Sequence, residues 1–240
     1  MALSRSLLVP ISIMTLLATM DGVISLALVS SMVSFLHGAG GGPFMVAYPD
    51  GLNFLLAGEP ANLVTDQGHT TNAAGGTAVV LVGFGGLVAL LLERRSRKKY
   101  AKSSRFFYLW ALIVVLSALL TLSALIYTFI ETGRTRGSID LAIAAQNPAP
   151  AKYPNGRWTP ENWYDAVLRL PLVGPGDRNV IVRDLRLMRG WRWNLIPLFI
   201  LGFILAALVL LELWRARKDR KANNTSPSML ATEGIAAEGK

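Results

Sequence analysis

The sequence predicts an all-α membrane protein: a four-helix transmembrane bundle with a small, partly helical extracytoplasmic cap. Three observations lead there. Apolar residues fill 52% of the 240 positions and charged residues only 16%, whereas a soluble domain carries about 25% charged residues. The apolar residues are gathered into four blocks, each able to supply the roughly 20 residues that a helix needs to cross a hydrocarbon core. The charges lie between those blocks.

The first block covers residues 7–36 and is interrupted by Asp21. Arg5 followed by Leu7–Ala18 has the layout of a secretory signal peptide. The apolar run continues to Leu36, however, and the best small-residue site would put Met20 beside the cut. An uncleaved first span is therefore expected. The outer loop 37–72 contains no Lys or Arg but does contain Asp50, Glu59 and Asp66. Gly38 and Gly40–Gly42 suggest irregular backbone there. His37 and His69 stand at the two ends of this loop, yet their spacing matches no ligand pattern. No metal and no cofactor is expected.

The second span covers 73–92 and leads into loop 93–105. Seven basic residues between Arg94 and Arg105 face one acid, Glu93. The positive-inside rule makes this short loop cytoplasmic and loop 37–72 external. The third span covers 106–130. Loop 131–194 follows, with ten basic and six acidic residues, and it faces outward because long loops weigh little in the rule. The fourth span covers 195–214. Trp193 and Trp214 bracket it at a separation of about 31 Å, which matches the two interfacial belts. Both termini are then cytoplasmic, in a plasma or secretory-pathway membrane. Residues 1–221 form the four-span domain, and the small, polar tail 222–240 is expected to be disordered. Asn223 and Asn224 match the glycosylation pattern, but they lie in that tail and should stay unmodified.

The net charge of +9 would suggest a nucleic-acid partner in a soluble protein. Here the basic runs 94–105 and 215–221 abut apolar blocks, so lipid is the partner they indicate and nucleic acid is not expected. The absence of cysteine excludes disulfides, thiolate metal sites and cysteine nucleophiles.

Helices in lipid associate through small residues. Gly85 and Ala89 in the second span, Ser117, Thr121, Ala124 and Thr128 in the third, and Gly202 and Ala206 in the fourth have the spacing of packing seams. Pro197 reads as a first-turn residue of the fourth span. Asp21, with Ser25 one turn away, is the ionisable residue inside a span and so the intramembrane functional candidate. No basic residue lies within a span to pair with it.

In the last outer loop, Thr159, Pro160 and Glu161 read as the start of a helix ending near Leu170, with Trp163, Val167 and Leu170 on one face. Asp177 would cap a second helix, with Ile181, Leu185 and Met188 on one side and Arg183, Arg186 and Arg189 largely on the other. That basic amphipathic segment could lie along lipid headgroups, cap the bundle or meet a partner. Trp158, Trp163, Tyr164, Arg183, Arg186, Arg189 and Trp191 are the interaction candidates.

The stretches Trp158-Thr-Pro-Glu-Asn-Trp163-Tyr-Asp-Ala-Val-Leu168 and Met188-Arg-Gly-Trp-Arg-Trp-Asn-Leu-Ile-Pro-Leu198 resemble segments of uncharacterised four-span membrane proteins of filamentous fungi. That resemblance implies no activity and no site residues. In topology the chain resembles claudins and tetraspanins, but it lacks their loop cysteines. The functional expectation is a non-enzymatic membrane protein of structural, adaptor or accessory-subunit type. Loop 131–194 would be its contact surface, toward a protein partner or a second copy. The alternatives are a small transporter or channel component using Asp21, and a membrane-embedded lipid-modifying enzyme.

Overall fold

The computed structural model describes residues 6–49, 51–100 and 103–237. Arg5 and Asp50, used in the topology and ligand readings, lie outside the described residues. The first long helix is α1 (Leu8–His37), followed by a hairpin of β1 (Phe44–Val46) and β2 (Phe54–Leu56). The second long helix has three parts: α2 (Asp66–Thr77), a π-helical stretch (Ala78–Phe84) and α3 (Gly85–Tyr100). Then come α4 (Arg105–Arg134), the short helices α5 (Leu141–Gln146) and α6 (Pro160–Val167), and α7 (Pro175–Ala237). Four of these helical runs are long and apolar enough to cross a membrane, so this is an integral membrane protein built on an all-α bundle.

Three local readings change. The glycine-rich first loop is not wholly irregular, because it holds an antiparallel hairpin with Met45 paired to Leu55. The amphipathic segment and the fourth span are one helix, α7, which starts at Pro175. Pro197 is therefore a helix-interior proline, and it leaves the Trp193 carbonyl without its i+4 donor. The tail was expected to be disordered from 222, but its backbone is helical to Ala237. Extending an existing helix avoids the cost of a new nucleus, although residues 223–228, with Pro227 among them, are poor helix formers.

The buried positions of α1 include Leu8, Ile11, Thr15, Ala18, Gly22, Ser25, Val29, Met32 and Leu36. Steps of three and four alternate along this series, the seam of a left-handed bundle. Gly22 meets the start of the π-helical stretch so closely that an added Cβ would lie 3.1 Å from Ala78 and Val79. At Gly86 a Cβ would lie 2.8 Å from the Trp110 ring and 2.9 Å from Thr15. Gly85, by contrast, leaves ordinary space. The close approach in the second span belongs to Gly83 and Gly86, with Ala89 fully buried. On α4 the seam of Ser117, Thr121, Ala124 and Thr128 is buried, and Gly202 and Ala206 of α7 face it near Ala118.

At the basic end one ion network joins the whole bundle. Arg97 of α3 binds Glu93 at 2.6 Å and also binds Glu212 of α7. Glu93 accepts from the Ser104 backbone N–H that precedes α4, at 2.6 Å. Glu212 accepts from the Leu7 backbone N–H that precedes α1, at 3.0 Å. Both carboxylates are buried. Asp21 is therefore not the sole acid within a span, since Glu212 lies inside 195–214.

The far ends of α1 and α7 rise out of the bundle into a second core, which contains Phe35, Phe44, Val46, Leu56, Tyr153, Trp158, Trp163, Tyr164, Ile181, Met188 and Trp191. This is the cap, and its core is aromatic.

Candidate functional site

The cap is organised by α6. The Thr159 side chain accepts from the Asn162 N–H at 3.3 Å and Pro160 occupies the first turn, so the helix starts as expected but ends at Val167. Its buried face drives two rings into glycine-rich backbone. Trp163 donates from Nε1 to the Gly58 carbonyl at 2.7 Å, and the Tyr164 hydroxyl donates to the Gly40 carbonyl at 2.9 Å. At Gly58 an added Cβ would lie 2.2 Å from the Gly40 carbonyl oxygen. Two backbone strands touch there, and no side chain fits. Burial pushes the Tyr164 hydroxyl pKa up, and the nearby Glu59 adds to the shift.

Trp158, Trp163, Tyr164 and Trp191 are thus buried at 3% exposure or less. They build the cap and are not offered to a partner, which corrects their reading as surface contacts. Arg183, Arg186 and Arg189 are exposed, on the side of α7 away from the buried Ile181, Leu185 and Met188. Arg183 pairs with Asp184 at 2.9 Å.

Beside α6 lies a charged cleft of about 620 Å³, lined by Arg136, Arg169, Arg189 and Arg192 together with Glu161 and Asp165. Arg189 reaches Asp165 at 2.6 Å, and Arg192 reaches Glu161 at 3.2 Å. Burial raises the Glu161 pKa, while Arg192 and Arg189 oppose the shift. Oε2 of Glu161 and Nε of Arg192 are buried without hydrogen-bond partners. The Arg192 guanidinium also lies over the Phe129 and Trp193 rings at 5.5 and 5.6 Å. The cleft therefore sits at the level where aromatic side chains mark the membrane interface.

A second cleft, about 650 Å³, brings His37 and His69 together with Glu59 and Asn72. Among the described residues, no group of three His, Cys, Asp or Glu could hold a metal ion.

Asp21 and Ser25 occupy a third place. On the antiparallel helices α1 and α7, Leu7 is level with Glu212, and Ser34 shares a cleft with Asp184. Ser25 is then level with Asn194, and Asp21 with Pro197, about 6 Å inside Trp193. On α4, Phe129 touches Trp193, which puts Thr128 in the same layer. Asp21 Oδ2, Ser25 Oγ, Thr128 Oγ1 and Asn194 Nδ2 are all buried without partners. Asp21 thus lies near the cap-side interface, at about the depth of Ser25, Thr128 and Asn194 but hydrogen-bonded to none of them.

The cap also carries exposed apolar side chains on its hairpin. Leu52 is 73% exposed, Met45 42%, Leu55 40% and Val173 45%. The Val173 N–H donates to the Met45 carbonyl at 3.0 Å and Met45 pairs with Leu55, so these three lie together at the hairpin whose connecting loop carries Leu52. No family model, curated protein or solved structure matches the chain.

Proposed function

We propose that this chain is a membrane-anchored accessory subunit of structural or adaptor type, whose cap docks a separate protein outside the cytoplasm. The supporting observation is the apolar tip formed by Met45, Leu52, Leu55 and Val173. Scattered exposed apolar residues are ordinary, but a contiguous apolar patch marks an interaction site. The start of α7 at Pro175 lies about 27 Å along the helix from Trp193. Lipid of the chain's own membrane is too far away to cover the tip. The contact surface then includes the first loop, beyond the last-loop residues that the sequence suggests.

In this reading the seven-cation loop and both termini face the cytoplasm, as the positive-inside rule directs. A photo-crosslinking residue at Leu52 should give one discrete adduct, and the same residue at exposed Arg217, at the opposite end of the bundle, should give none. Leu52→Lys combined with Leu55→Lys should abolish the adduct without lowering the melting temperature. An adduct of twice the chain's own mass would replace the separate partner with a second copy. Equal, diffuse labelling at both positions would sink the proposal.

The buried, unpartnered carboxylate oxygen of Asp21 favours one other reading, a small transporter or channel component. It predicts that Asp21→Asn alters cation or proton flux in reconstituted vesicles. Unchanged flux would remove it.

A further inference from the structure

Where α1 passes the second helix, the lining of a lateral crevice changes along its length. Thr19 seals the inner end, since an added Cβ at Gly83 would lie 2.5 Å from its hydroxyl oxygen. Past the close approach of Gly86 to Thr15, α3 meets α1 much less closely. A crevice of about 370 Å³ opens between them, walled by Thr15, Leu16, Leu87, Leu90 and Leu91, with Arg94 at its mouth.

The hydroxyl residues along this wall do not make it polar. Ser12 donates to the Leu8 carbonyl at 2.7 Å, Thr15 to Ile11 at 2.8 Å and Thr19 to Thr15 at 2.7 Å. With these hydroxyls occupied by their own helix, the threonines are left with methyl groups to offer. From Arg94 to Gly83 the crevice runs about 16 Å along the helix, half of the roughly 30 Å hydrocarbon thickness. Its length is that of one leaflet. Leu16, Leu87 and Leu91 are more than half exposed, so the opening faces the membrane.

Arg94 donates to the Ser12 hydroxyl at 3.3 Å, and no described carboxylate pairs with it. Its neighbour Arg97 is held by Glu93 and Glu212. A cation without an acid thus stands at the mouth of an apolar slot one leaflet long. We infer that this crevice holds one acyl chain of an anionic phospholipid from the leaflet at the basic end, with its phosphate against Arg94.

The test is lipid retention by the purified chain in mild detergent, titrated with phosphatidylserine or phosphatidylcholine and counted by native mass spectrometry. One phosphatidylserine should be kept per chain, at about fivefold preference over phosphatidylcholine, the effect of one cation near a membrane surface. Arg94→Gln should bring the ratio close to one. Arg95→Gln, which removes the same charge away from the mouth, should leave the ratio unchanged. Leu87→Trp should fill the slot and release both lipids, and because Leu87 is 58% exposed this change spares the bundle core. Equal retention of the two lipids by the unaltered chain would overturn the inference. So would an unchanged ratio in Arg94→Gln, or undiminished retention in Leu87→Trp.

Discussion

Helices α1 and α7 run through both halves of the molecule but pack by different chemistry in each. In the membrane half α1 offers Thr15, Ala18, Gly22 and Ser25, and the second helix answers with Gly75, Ala78, Gly83 and Gly86. Small residues let the helices approach where apolar burial gives little net drive. In the cap the same two helices offer Met32, Phe35, Ile181, Met188 and Trp191 to a core of large rings. Water surrounds that half, so burying aromatic area is strongly favourable. The change falls at the layer of Ser25, Thr128 and Asn194. The two halves should therefore fail separately when each is attacked through its own chemistry.

The largest expected effect is in the cap. Trp163 is fully buried, and Trp163→Ala should cost about 3–5 kcal/mol through the cavity it leaves. It also strips the donor from the Gly58 carbonyl, a further loss of about 1–3 kcal/mol. The chain has no cysteine, so a single cysteine placed at buried Ile181 reports opening of the cap. It should become reactive in Trp163→Ala, while a cysteine at buried Ala118 in the bundle stays protected. Simultaneous exposure of both would show one cooperative unit and break the comparison.

The next effect is at the opposite end. Arg97→Ala leaves Glu93 and Glu212 buried without their counter-charge. Removing one partner of a buried ion pair costs about 3–5 kcal/mol. The loss should appear as a lower midpoint of detergent-induced unfolding, with the Ile181 cysteine still shielded in the native state. A midpoint equal to that of the unaltered chain would mean that the network does not hold the bundle.

The four spans were legible because hydropathy and length are properties of one helix at a time. The seams were partly legible for the same reason: four-three-four spacing marks Ser117 to Thr128, though spacing cannot tell Gly85 from its closely packed neighbours Gly83 and Gly86. Contacts between distant segments were not legible. Nothing near Glu93 announces Glu212, and nothing near Trp163 announces Gly58. The tryptophans that sequence reading assigned to a contact surface became core, because an aromatic in a loop looks the same whether another segment covers it or not. The π-helical stretch left no periodic signature either, since Ala78–Phe84 is apolar or small throughout.

The smallest effect sharpens the comparison at the boundary between the two halves. Burial holds the Glu161 carboxyl above its ordinary range despite Arg192 and Arg189. Asp165 and Arg136 also face it, the first pushing the pKa further up and the second pulling it down. The folded chain thus keeps this proton at a pH where the unfolded chain, with a carboxyl near about 4.3, has already released it. Between those two values the folded state binds more protons, so stability falls as pH rises. Acidification from neutral pH down through that window should raise the denaturant midpoint of the cap, with no further gain from this group below the unfolded value. Glu161→Gln should flatten that dependence, and subtracting its profile removes the contribution of Asp165. An identical slope in the two chains would place the pH response elsewhere. A flattened slope in the cap signal alone, with the bundle signal unmoved, would show that Glu161 acts on the aqueous half without reaching through the polar layer into the membrane half.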